Sequence, residues 1–197
     1  MLSCDYTGST NYKFYNNSCI SDDNINILGE YPSNKIEKAL SCFNENDKWT
    51  EFFLPEIVDI PVQKPDMEGI LEVNSCIDII SQKVVKTPVV NGYSTPTGPV
   101  LGENIPNSEC TNLTGRKLII EGLLKQKVLY TAAVDNQSIH SANFAFPFST
   151  FIIIEKDTPL SQNFRITPYI EDIFAYRLSE RSIFKNTTIF IKASKVC

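Results

Sequence analysis

The chain has 197 residues, a formal net charge of -5, 42% hydrophobic and 11% aromatic residues and a mean hydropathy of -0.13, which is the composition of one well-filled globular core. Its Lys and Arg are scattered rather than gathered into the stripe that draws nucleic acid, and no run approaches the roughly 20 apolar residues of a membrane-crossing helix. Neither nucleic acid nor membrane insertion is expected.

Residues 1–48 are rich in Asn, Ser, Asp and Tyr and hold Cys4, Cys19 and Cys42. They read as an N-terminal arm with one short helix, N-capped by Ser33 and carrying Ile36, Leu40 and Phe43 on one face. From Trp49 the pattern changes to period two, and residues 49–197 read as a β domain. Phe52, Leu54, Val58 and Ile60 share one face while Glu51 and Asp59 take the other, with Pro55 and Pro61 marking an edge or irregular strand.

The next run places Leu71, Val73, Ile77 and Ile79 inward and Glu72, Asn74, Cys76 and Asp78 outward. Residues 87–115 contain Pro88, Gly92, Pro96, Gly98, Pro99, Gly102, Pro106 and Gly115, the chemistry of a long exposed loop, here carrying Cys110. Leu118 to Val134 is a clear strand, with Ile120, Gly122, Leu124, Val128, Tyr130 and Ala132 on one side and a bend expected near Gly122 or Gln126. Asp135-Asn136-Gln137 turns it into a hairpin partner bearing Phe144, Phe146 and Phe148 as core candidates. Two more strands follow, one with Ile166, Ile170 and Phe174 inward and one from Ile183 to Ala193. Strands in succession without intervening helices predict an all-β fold, an antiparallel sandwich or open barrel with an N-terminal arm.

The chemistry-bearing residues are sparse. The only histidine, His140, lies at a strand entry and is read as a surface or hydrogen-bonding group rather than a catalyst. No nucleophile elbow, phosphate loop or metal-ligand spacing appears. The carboxylates Glu51, Glu56, Asp59, Glu171 and Asp172 are read as solvated strand faces, not as a glycosidase pair. No enzymatic activity, cofactor, metal or small-molecule substrate is expected.

The six cysteines, at 4, 19, 42, 76, 110 and 197, are widely spaced and form no Cys-x-x-Cys pair, which argues against zinc or a dithiol redox site. Cys4, Cys19, Cys76, Cys110 and Cys197 are candidates for disulfides between subunits; Cys42 is either a crosslink or a core residue. Six cysteines allow fifteen complete pairings, so connectivity stays open. Met1-Leu2-Ser3-Cys4-Asp5 has neither the basic nor the apolar region of a secretory signal, so synthesis in and retention by the cytosol is expected. Disulfides are rare there.

Lys64-Pro65-Asp66-Met67-Glu68-Gly69-Ile70-Leu71 followed by Leu118-Ile119-Ile120-Glu121-Gly122, Val128-Leu129-Tyr130, Phe146-Pro147-Phe148 and Ile170-Glu171-Asp172 resembles the SPOCS domain, a family of spore-coat assembly proteins in clostridia-like spore formers. The resemblance runs from Trp49 to about Ala193. It implies a non-enzymatic role at the spore surface, in coat, exosporium or appendage. A better-known member recruits coat material through a morphogenetic partner and carries a LysM module, of which this sequence shows no counterpart. It also accounts for the cysteines, because a coat protein made in a reducing mother cell meets oxidising surroundings when that cell lyses. The leading expectation is a self-assembling subunit that partners itself, as a homopolymer, and other spore-coat proteins. The alternative is a soluble adaptor that docks a spore-coat morphogenetic protein.

Overall fold

Strand-forming alternation dominates the chain, and the computed structural model, which describes residues 9–11, 25–41, 47–89, 93–95, 98–100 and 114–196, converts it into two facing sheets. In chain order the elements are β1 (Ser9–Asn11), β2 (Asn26–Leu28), α1 (Ser33–Ser41), β3 (Asp47–Asp59), β4 (Met67–Val89), β5 (Tyr93–Thr95), β6 (Gly98–Val100), β7 (Thr114–Ala132), β8 (Ile139–Ile153), β9 (Phe164–Arg177) and β10 (Ser182–Lys195). A five-stranded sheet in the order β1-β2-β4-β7-β8 packs on a three-stranded sheet, β3-β10-β9, and β5 with β6 forms a small ribbon. Pairing is antiparallel except between β2 and β4. The fold is an all-β sandwich.

The core lies between the sheets. Leu118, Ile120, Leu124, Val128 and Tyr130 of β7 meet Ile183, Ile189 and Ile191 of β10, all fully buried, as the alternation predicts. The β7–β8 hairpin forms as expected, with Gln137 taking the left-handed backbone at its turn (φ 44). The irregularity expected near Gly122 falls on its partner: β4 shifts register between Ile79 and Ser81, opposite Gly122 and Glu121. Gly122 itself is required by close approach, since a Cβ there would sit 2.2 Å from the tip of the Phe148 ring.

Bulges also correct two inward assignments. The register of β4 shifts between Ile70 and Glu72, so Ile70 and Val73 are buried and Leu71 faces out. In β9 the shift beside Thr188 and Ile189 inserts Glu171 and reverses the phase. Ile173 and Ala175 therefore enter the core, and Phe174 packs outside against Phe184, ring centroids 5.9 Å apart.

The expected loop at 87–115 is partly strand. β4 runs to Val89, β7 starts at Thr114, and the β5–β6 ribbon lies between them. Part of the expected arm belongs to the sandwich: Ile25, Ile27 and Ile36 are buried and β2 pairs with Glu72–Asn74. Gly29 is required on two counts, its positive φ of 101 and the close approach of the Ser75 carbonyl, which a side chain there would strike. The Ile36 amide bonds back to Pro32 O, so Pro32 is the N-cap of α1 and Ser33 its first helical residue.

Candidate assembly surface

A sandwich has two flanks where the sheets' edges meet, and here the two differ. On one, β4 and β9 are sutured. Gln82 acts as a peptide surrogate, its Nε2 donating to Phe164 O (2.6 Å) while its Oε1 accepts from Phe164 N (3.0 Å). Glu30 crosses from the β2 side to accept from Ile173 N at 2.7 Å, and Tyr31 N donates to Ile170 O. The outer edge of β9 is thereby occupied.

The other flank brings β3 and β8 together, and both are edge strands: among the described residues β3 pairs only with β10 and β8 only with β7. Phe52 and Phe148 touch across the seam, centroids 5.4 Å apart. Beside them a groove of about 630 Å³ runs between Asp47–Phe52 and Thr150–Ile153. One end is closed by charge, where Lys48 and Lys195 reach Glu155 at 2.7 and 3.3 Å. Burial pushes the Glu155 carboxyl up, but the Lys48 hydrogen bond, a backbone hydrogen bond, the Lys48 charge and the Lys195 hydrogen bond outweigh it and bring the pKa down to about 2.

The outer face of the three-stranded sheet borders this groove. Tyr31, Tyr169, Phe190 and Trp49 form a continuous aromatic row, with successive centroids 5.2, 6.2 and 5.5 Å apart. Next to it on β3, Phe53 and Ile57 are 66% and 67% exposed, and Trp49 is 54% exposed. Glu171 lies on this sheet with its pKa raised, first by burial and then by the Glu51 carboxylate.

The Lys64-Pro65-Asp66 segment is clamped by Arg181. The Arg181 guanidinium donates to Asp66, to Ile60 O (3.0 Å), to Pro61 O (2.9 Å) and to Lys64 O (3.3 Å). Tyr130 Oη donates to Pro65 O and Ala133 N to Asp66 O. One turn thus ties β3, β4, β7 and the β9–β10 hairpin together.

Of the cysteine candidates, Cys76 is described: it is a free thiol, half-buried, on the outer face of the larger sheet opposite Lys125. Cys4, Cys19, Cys42, Cys110 and Cys197 lie outside the described residues. His140 bonds Ser138 Oγ at 3.1 Å and stacks on Tyr130. Among the described residues no three of His, Cys, Asp and Glu converge as a metal site, and no helix is long and apolar enough to cross a membrane.

Glu56 corrects the solvated-face assignment, for its side chain is 12% exposed and points into the core toward Lys185 Nζ at 3.8 Å. Lys185 is fully buried. Its Nζ also donates to Gln126 Oε1 and lies 5.0 and 4.5 Å from the ring centroids of Phe144 and Phe146. Gln126 Nε2 in turn donates to Ser75 Oγ (3.0 Å) and Thr187 Oγ1 (3.1 Å). Sequence reasoning missed this cluster, although parity signals it: Glu56 is in phase with Leu54 and Val58, Gln126 with Leu124 and Val128, and Lys185 with Ile183 and Thr187. Burial pushes the Glu56 pKa up to about 7 against the pull of Lys185, and pushes Lys185 down to about 8 against that of Glu56.

A family model described as "SipL, SPOCS domain" matches residues 66–177, from the Arg181-clamped turn through β9. No curated protein and no solved structure matches the chain.

Proposed function

Because the chain belongs to the SPOCS domain family and so has a sporulation-related role, we propose that it is a non-enzymatic structural subunit of a spore surface layer or appendage, assembling with copies of itself and with other coat proteins. The observation that carries this reading is the β3/β8 flank, where two long edge strands border a groove and an exposed apolar face. Soluble proteins blunt or cover such edges, because an open edge templates pairing with another chain. An extended segment from a neighbour adds to β3 or β8 through main-chain hydrogen bonds, while Trp49, Phe53 and Ile57 supply apolar contact. A contact of this heterologous kind that does not close on itself generates a filament or a sheet. Cys4, Cys19, Cys76, Cys110 and Cys197 then lock neighbours together once the surroundings become oxidising.

The test is electron microscopy of the chain purified under reducing conditions and then freed of reductant, beside non-reducing gels. Ordered polymers with reductant-sensitive ladders are expected. The Phe53→Lys/Ile57→Lys variant, whose side chains are exposed, should fold normally and lose polymers. Wild-type chain that stays monomeric in every condition refutes the subunit reading and leaves the adaptor that docks a coat morphogenetic protein.

A further inference from the structure

The buried cluster at the centre of the sandwich is costly as a simple ion pair. Charges removed from water are repaid only by close contact and full hydrogen bonding, yet Lys185 and Glu56 stand 3.8 Å apart. Glu56 Oε2 has no hydrogen-bond partner among the described residues. The same arrangement does meet the requirements for aminolysis of an amide. That reaction needs a held carboxamide, a neutral amine against its carbonyl, a proton carrier beside both, and a dry site.

The carboxamide is held by two hydroxyls, the amine meets its oxygen, and Glu56 lies 3.8 Å from the amine. The two hydroxyls that accept from Gln126 Nε2 fix the carboxamide so that Oε1 faces Lys185. This orientation is the one the network demands, since an ammonium has donors and no acceptor. Phe144 and Phe146 wall the amine, and Gln126 is 2% exposed. Burial pushes the Lys185 pKa down and the Glu56 pKa up, each against the pull of the other, and so draws both groups toward their neutral forms, an amine and a carboxylic acid.

We propose that Lys185 and Gln126 are a self-crosslinking pair, in which Lys185 Nζ displaces ammonia from the Gln126 carboxamide to leave an isopeptide bond between β10 and β7, with Glu56 as proton carrier. Glu56 takes a proton from the ammonium, and the freed lone pair forms a bond to Gln126 Cδ as the carbonyl electron pair moves onto Oε1. Glu56 delivers its proton to Nε2, the Cδ–Nε2 bond breaks as the carbonyl re-forms, and the surplus proton on Nζ leaves with the ammonia as ammonium. Lysine ammonium and glutamine amide thus become a secondary amide and ammonium, with no oxidant or other co-reactant. The bond joins the two sheets covalently. It is independent of the assembly reading and is tested on the unassembled chain.

The measurement is the intact mass of the full chain, reduced and denatured, followed by peptide mapping. The expected mass is one ammonia below that of the sequence, with a branched peptide linking the Gln126 segment to the Lys185 segment. Glu56→Gln keeps the shape of the side chain and removes the carrier, and should slow crosslinking at least ~100-fold. Lys185→Met should abolish it. The proposal is overturned if folded wild-type protein keeps its full mass after prolonged incubation with Gln126 and Lys185 recovered in separate peptides, or if the lost ammonia maps to any other residue.

Discussion

Gly122→Ala tests whether the sandwich is packed as described, because two effects oppose each other in sign. Replacing glycine at a backbone position that alanine can adopt ordinarily stabilises by about 0.4–1 kcal/mol through the unfolded chain. Gly122 has no left-handed backbone requirement, so that gain applies. Against it, the new methyl would meet three atoms of the Phe148 ring at 2.2, 2.7 and 2.9 Å, where carbon contacts prefer about 3.5–4.0 Å. The ring must shift by about an ångström, with Phe52 5.4 Å away and little free space in the core. Overpacking of this kind costs about 1–3 kcal/mol, so the net expectation is destabilisation by about 2 kcal/mol at the upper end of that range. For a chain of this length that is a fall of about 4–8 °C in Tm. Phe148→Leu alone should cost about 1.5 kcal/mol, but in the Gly122→Ala background it relieves the clash, giving a coupling energy of about 1–2 kcal/mol. Urea unfolding of the four proteins, followed by circular dichroism, measures the cycle. A stabilised Gly122→Ala, or two additive substitutions, would refute the packing of Phe148 over Gly122.

Two further predictions concern the clamp and the charged end of the groove. Arg181→Lys keeps the charge but loses the fork that spans Ile60, Pro61, Lys64 and Asp66, and should destabilise by about 2 kcal/mol; a neutral result in urea titration would show that the turn holds without it. Glu155 has a folded pKa below its unfolded value of 4.5, so its contribution is present above pH 4.5 and is lost as pH falls toward 2. With the Glu155 side chain 41% exposed, solvent screening limits this to about 1 kcal/mol. Lys48→Met should therefore lower stability at pH 7 and have a much smaller effect near pH 2, where the carboxyl is about half protonated, and an equal loss at both would exclude the ion pair as its cause.

Much of the sandwich was legible because period-two alternation survives wherever the ladder is regular. The β7–β8 pairing and the inward series from Leu118 to Ala132 follow directly from it. Leu71 and Phe174 were not legible, since a single bulge inverts the phase of every residue beyond it and Ile70-Leu71-Glu72 or Ile170-Glu171-Asp172 carries no residue that demands one. Glu56, Gln126 and Lys185 were hidden for the opposite reason. Their parity is correct for the core, but their chemistry argues for the surface, and only the partners on two other strands resolve that conflict. The assembly flank depends on which strands end as edges, a property of the sheet order that no local segment encodes, although Pro55 did mark β3 as one of them.

The pairing of β3 with β10 also sets a timetable for the chain's birth. The strand ending at Asp59 has its partner in the one beginning at Ser182, 123 positions later (182 minus 59). At about 5–20 residues per second, a ribosome needs roughly 6–25 seconds to supply it. The β4–β7–β8 meander can pair during that time, while Phe52, Leu54 and Val58 wait without the strand that will hold them in register. Until β10 emerges, the nascent molecule is half a sandwich with an uncovered apolar face, a surface through which unfinished copies can associate.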